Sequence, residues 1–182
     1  MNSEKGLSIM LSILNKKPGS GKTAVMKYIY ILQSVYKLAL GYDFEIYTYG
    51  PYSADVMADI DYAKHEGLIS MMKVEYPNGI FGYSIEASEK AKEYIHSNSE
   101  YLKTNQKVID GMLGVFGDKS AKDLELYSTI IYQYAMAIKN NWNNDVDSIS
   151  IDVHEIKPHF SISVIKNAYS ELYSDKVLPL VG

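Results

Sequence analysis

The sequence predicts a mainly α protein with a small β-hairpin: a winged helix-turn-helix-like core followed by C-terminal helices. Three observations carry this reading. Apolar residues recur at helical spacing over most of the chain. Two β-rich runs, 68–76 and 80–86, flank Pro77-Asn78-Gly79, and Asn-Gly tolerates the positive φ of a tight hairpin. The element order is helix, helix, strand, helix, hairpin, which is that of a winged helix-turn-helix. Residues 1–95 are expected to form the winged-helix-like domain. Residues 96–182 form a helical extension packed on it, and one single domain is the alternative.

Taken in order, Leu7, Met10, Leu11 and Leu14 fall at i, i+3, i+4 and i+7 with Ser8, Ser12 and Asn15 between them, a short amphipathic helix. The same stretch also alternates (Leu7, Ile9, Leu11, Ile13), so a strand stays open. Residues 18–21 are a turn, and a second helix runs over about 22–36 with Val25, Ile29, Leu32 and Tyr36 on one face. Residues 44–49 alternate as a short strand. Ser53 is the expected N-cap of a third helix, Asp55 its first-turn acid, and Gly67 its left-handed terminator. After the hairpin, helices are expected at about 88–104 and 106–116. Ser120 and Asp123 form a capping box opening a helix to about Lys139. Residues 140–145 form a polar loop, and two helices divided by Pro158 follow at 150–157 and from Ser161 to about Asp175.

All 18 cations of the 182-residue chain are lysine, cysteine is absent and 17 tyrosines supply most of the aromatic content. Without cysteine there are no disulfides, thiolate nucleophiles or iron–sulfur clusters. No apolar run approaches the roughly 20 residues of a membrane span, and no signal-peptide pattern opens the sequence, so the expectation is a cytoplasmic protein. Charge is uneven. Residues 1–40 hold six lysines against Glu4, whereas 41–70 hold six acids against Lys64.

Gly19-Ser20-Gly21-Lys22-Thr23 resembles the end of a phosphate-binding loop, and nucleotide binding is one alternative function. The full pattern wants a glycine where Lys16 stands. His65, His96, His154 and His159 have no metal-ligand spacing, so neither a metal nor a cofactor is expected. No nucleophile elbow or acid pair marks a catalytic site, and the expectation is a protein that is not an enzyme.

On the third helix, Val56, Ile60 and Ala63 point inward, and Asp55, Asp59, Tyr62 and Glu66 form a neighbouring outward stripe. Carboxylates repel phosphates, so this stripe is assigned to a protein partner. The alternative, a DNA-binding regulator, would use Lys16, Lys17, Lys22 and Lys27. Tyr28, Tyr30, Tyr36, Tyr42, Tyr47, Tyr49 and Tyr52 crowd one span and divide between core and interface.

Four segments carry a resemblance. The run from Gly21 to Gln33, Tyr47-Thr48-Tyr49-Gly50-Pro51-Tyr52-Ser53, Asp59-Ile60-Asp61-Tyr62-Ala63 and Glu66-Gly67-Leu68-Ile69 resemble the YwgA-like family of uncharacterised prokaryotic proteins and, more distantly, the SocA-like or Panacea antitoxin domain. Leu124-Glu125-Leu126-Tyr127-Ser128-Thr129 and Ile156-Lys157-Pro158-His159-Phe160-Ser161 extend the YwgA-like resemblance. It implies a winged-helix-like core with added helices, no catalytic residue and, through the more distant group, a role in binding a toxin or adapting a client to proteolysis. The combined expectation is a non-catalytic regulatory protein, antitoxin- or adaptor-like, that binds a protein partner. A homodimer is compatible with each reading.

Overall fold

The computed structural model describes residues 4–75, 79 and 81–181. Its innermost pieces are the first two helices. α1 (Glu4–Lys16) buries every residue from Gly6 to Leu14, and α2 (Lys22–Ser34) every residue from Val25 to Leu32. A helix apolar on all sides must be covered on all sides, so the first helix is enclosed rather than amphipathic. Ser8 and Ser12 lie inside with their neighbours. The Ser8 hydroxyl donates to the Glu4 carbonyl at 2.7 Å, which lets a polar residue enter the core already paired.

Around this pair stand α4 (Glu89–Ser97), α5 (Ser99–Phe116) and α6 (Ala121–Asn140). α7 (Val146–Ile156) and α8 (Ile162–Ser174) pack on each other and on α6. The described residues hold eight α-helices and two small antiparallel sheets of two strands each. One buried cluster runs from Leu7 to Val181 and draws on every α-helix, so the 1–95 and 96–182 segments share it. Each fully buried aliphatic side chain contributes about 1.5–3 kcal/mol relative to exposure. Among the described residues no helix is long and apolar enough to cross a membrane.

The second sheet, β3 (Ile69–Glu75) with β4 (Phe81–Ala87), is the expected hairpin; Pro77 and Asn78 of the expected turn, and Tyr76 and Ile80 of the runs beside it, lie outside the described residues. Register pairs Met71 with Ile85 and Lys73 with Tyr83, so Met72 and Val74 occupy the opposite face from Phe81, Tyr83 and Ile85. The turn after α1 closes the outer edge of β4. Gly19 N–H donates to the Ile85 carbonyl and Ile85 N–H to the Ser20 carbonyl, both at 3.0 Å.

Between α2 and α3 (Ala54–His65) lie residues 35–53, where a helix-turn-helix has a turn of roughly 3–4 residues. They carry not one strand but a second hairpin, β1 (Glu45–Tyr47) and β2 (Gly50–Tyr52), turning at Thr48-Tyr49. Gly67 ends α3 at φ 68°, with Leu68 N–H reaching the Ala63 carbonyl at 2.8 Å as that terminator requires. Ser53 precedes α3, yet its hydroxyl is buried without a partner and caps nothing. The Ser120–Asp123 capping box forms. The helix expected to end near 104 breaks at Asn98, whose side-chain amide donates to the Tyr94 carbonyl at 3.1 Å. α7 starts at Val146 rather than 150 because the Asp145 carboxylate accepts from the amides of Asp147 and Ser148.

Candidate functional site

The two residue sets singled out in the sequence are not two free surfaces. On α3, Asp59 turns inward, 2% exposed, and accepts a 2.6 Å hydrogen bond from the buried Tyr42 hydroxyl. Burial pushes the Asp59 carboxyl above the usual carboxylate range. It is a core acceptor, not a contact for a partner. Asp55 is half-buried and Tyr62 exposed, while Glu66 accepts from Lys90 Nζ through its carbonyl at 2.7 Å, with its carboxylate 3.8 Å away. The wheel places Asp59 on the stripe's rim. A hydroxyl from the distant 35–53 segment brings it inside.

The four lysines fare likewise. Lys16 pairs with Asp110 at 2.9 Å, Lys17 with Asp118 at 2.7 Å, and Lys22 lies 3.8 Å from Asp61 with its ammonium over the Tyr83 ring. Lys27 is 2% exposed and its Nζ donates to the Pro51 carbonyl at 2.6 Å, so it is a core residue unavailable to phosphate. The Gly19 amide, which a phosphate loop would turn on its ligand, is held by Ile85.

What the fold builds instead is a clamp on the β1–β2 hairpin. Gly50, at φ 85°, lies flush on α6: a Cβ there would stand 2.9 Å from Thr129 Oγ1, 3.2 Å from Ser128 Oγ and 3.3 Å from the Glu125 carbonyl. Close approach brings the hairpin's carbonyls to two buried ammonium groups. Lys27 reaches Pro51 from α2. Lys157, 3% exposed at the end of α7, donates to the Tyr47 carbonyl at 2.9 Å and to the Thr48 carbonyl. Glu125 of α6, also buried, sets Oε1 3.4 Å from Lys157 Nζ and 3.4 Å from His159 Nε2, and that oxygen accepts no hydrogen bond. Burial lowers the Lys27 pKa to about 7, Glu125 opposing the shift and Lys157 adding to it.

Outside the clamp the hairpin presents its aromatic side chains. Tyr47 and Tyr49 are 63% and 64% exposed. They border an open groove of about 560 Å³ with Ile46, Thr48, Glu125, Ile156, Lys157 and His159. Backbone fixed by buried charge and rings facing water make a surface suited to binding.

The tyrosines of this site were visible in the sequence, but Glu125 and Lys157 were not singled out, and His159 was weighed only as a metal ligand. Their signal was there. Three of the segments that carry the family resemblance, 47–53, 124–129 and 156–161, meet at this one place, with Lys27 of a fourth beneath them. Neither a protein-family model nor a curated protein matches the chain.

Proposed function

We propose that this chain is a non-catalytic regulatory protein, antitoxin- or adaptor-like, on a winged-helix-like N-terminal frame, and that it captures a protein partner with the tyrosine hairpin rather than with the acidic stripe of α3. One observation supports this most: Tyr47 and Tyr49 stay exposed on a hairpin whose backbone two buried lysines hold. Tyrosine on a rigid support gives large contact area at little entropy cost, the character of interface hot spots. The DNA-binding alternative is less favoured, since Lys27 lies in the core and Lys16, Lys17 and Lys22 each stand beside an acid. The nucleotide alternative has lost the first amide of its loop to β4.

The test compares affinity capture from cell extract by wild type, by Tyr47→Ala/Tyr49→Ala, and by Asp55→Lys/Glu66→Lys, all checked for folding by circular dichroism. The proposal expects a partner kept by wild type and the α3 variant and lost by the tyrosine variant. Identical partners on wild type and the tyrosine variant, or loss that follows the α3 charges, would overturn it.

A further inference from the structure

The groove continues past the hairpin. Ile156 also borders a second hollow of about 470 Å³, between the end of α6 and the outer face of α7, that contains Trp142, Asp152 and Glu155. α6 ends with Asn141 at φ 56°, and Trp142 N–H bonds back to the Ala137 carbonyl at 2.8 Å. This terminator fixes the backbone of the chain's single tryptophan, whose side chain is left 60% exposed. Asp152, Glu155 and Ile156 follow at i, i+3 and i+4 on α7, so they share one face. Among the described residues neither Asp152 nor Glu155 has an ion-pair or hydrogen-bond partner, whereas Asp147 of the same helix is paired with Lys166 at 2.5 Å. The groove's own ammonium, Lys157, is buried and committed to two carbonyls and Glu125. At the other end of the groove Glu125 Oε1 is buried and accepts no hydrogen bond, its cationic neighbours Lys157 Nζ and His159 Nε2 each standing 3.4 Å away.

Resting on the partner-binding reading above, we propose that the partner lays an extended segment across Ile156 and seats a lysine or arginine side chain against Trp142, between Asp152 and Glu155. An aromatic face attracts a cation within about 6 Å of its centre, and two unpaired carboxylates supply the complementary charge. An acidic or phosphorylated segment would meet like charge in the same place.

The test selects a random dodecapeptide display library on immobilised wild type and on Asp152→Asn/Glu155→Gln, two changes that keep side-chain size. The inference expects wild type to enrich one lysine or arginine position. A synthetic copy of the leading peptide should change Trp142 fluorescence on binding. Replacing its cation by norleucine, or using the Asp152→Asn/Glu155→Gln protein, should weaken binding roughly ten-fold. Peptides without that enrichment, unchanged affinity on the double variant, a silent Trp142 or no selected peptide at all would each overturn it. Failure is assignable. Peptides that need Tyr47 and Tyr49 but carry no cation sink this inference alone, whereas peptides indifferent to both tyrosines sink the partner reading as well.

Discussion

Replacing Lys157 by methionine removes one atom that three groups share. The Tyr47 and Thr48 carbonyls lose their donor, and Glu125 loses the buried ammonium 3.4 Å from its carboxylate. Deleting one member of a buried ion pair costs about 3–5 kcal/mol, because the other charge stays behind. Two stranded carbonyls would add about 1–3 kcal/mol each, but water entering from the groove re-pairs them in part, so about 3–5 kcal/mol is the expected total. At this chain length that lowers Tm by about 6–20 °C. Urea denaturation at pH 7, followed by circular dichroism, measures it. Glu125→Gln in the same background supplies a cycle: the double variant should lose roughly 1–3 kcal/mol less than the two single losses together. Amide exchange should quicken at residues 46–50 and stay unchanged in α8. A Lys157→Met loss below about 1 kcal/mol, or full additivity with Glu125→Gln, would refute the clamp.

Lys27 carries a pH signature. Unfolded, it holds its proton up to its ordinary pKa of 10.5, and folded it releases it near 7. The unfolded chain therefore binds more protons across that window, so this group's contribution to stability grows with pH there and is lost as pH falls through 7. Between pH 7 and 9, wild type should gain roughly 1–3 kcal/mol over Lys27→Met in urea titrations, and parallel profiles would count against a buried, desolvated ammonium. Asp59→Ala should cost about 1–3 kcal/mol by stranding the buried Tyr42 hydroxyl, and Asp59→Asn much less, because the amide oxygen still accepts. Equal losses in thermal melts would return Asp59 to the surface. Gly50→Ala combines a left-handed φ with contacts to Thr129, Ser128 and a backbone carbonyl, so about 2 kcal/mol or more should go, with the hairpin amides exchanging faster. A neutral result would mean that the hairpin does not lie on α6.

Local features with local causes were legible: the β3–β4 pair, the Gly67 terminator and the Ser120–Asp123 box each follow from residues a few positions apart. The β1–β2 hairpin was not, because its turn residues Thr48-Tyr49 are neither glycine nor asparagine and its left-handed glycine, Gly50, comes one position later, inside the expected loop. α1 looked amphipathic because serine counts as polar on a wheel, whereas Ser8 satisfies its hydroxyl inside its own helix. The clamp could not be read at all. Lys27, Glu125 and Lys157 stand on three helices, and only the packing that brings α2, α6 and α7 around Gly50 makes their charges one group. Lys27 and Asp59 show the same limit from the other side, since charge in a sequence argues for solvent until a distant partner is found.

The enclosure of α1 and α2 has a consequence during synthesis. Both helices leave the ribosome well before α5 and α6, the elements that cover them. At about 5–20 residues per second, the stretch from Ser34 to Asn140 takes roughly 5–20 s to make. For that interval the buried stretches of both helices wait for part of their cover, an invitation to chaperones and to aggregation. Slower elongation should lower the soluble yield more for this chain than for one whose central helices are translated last.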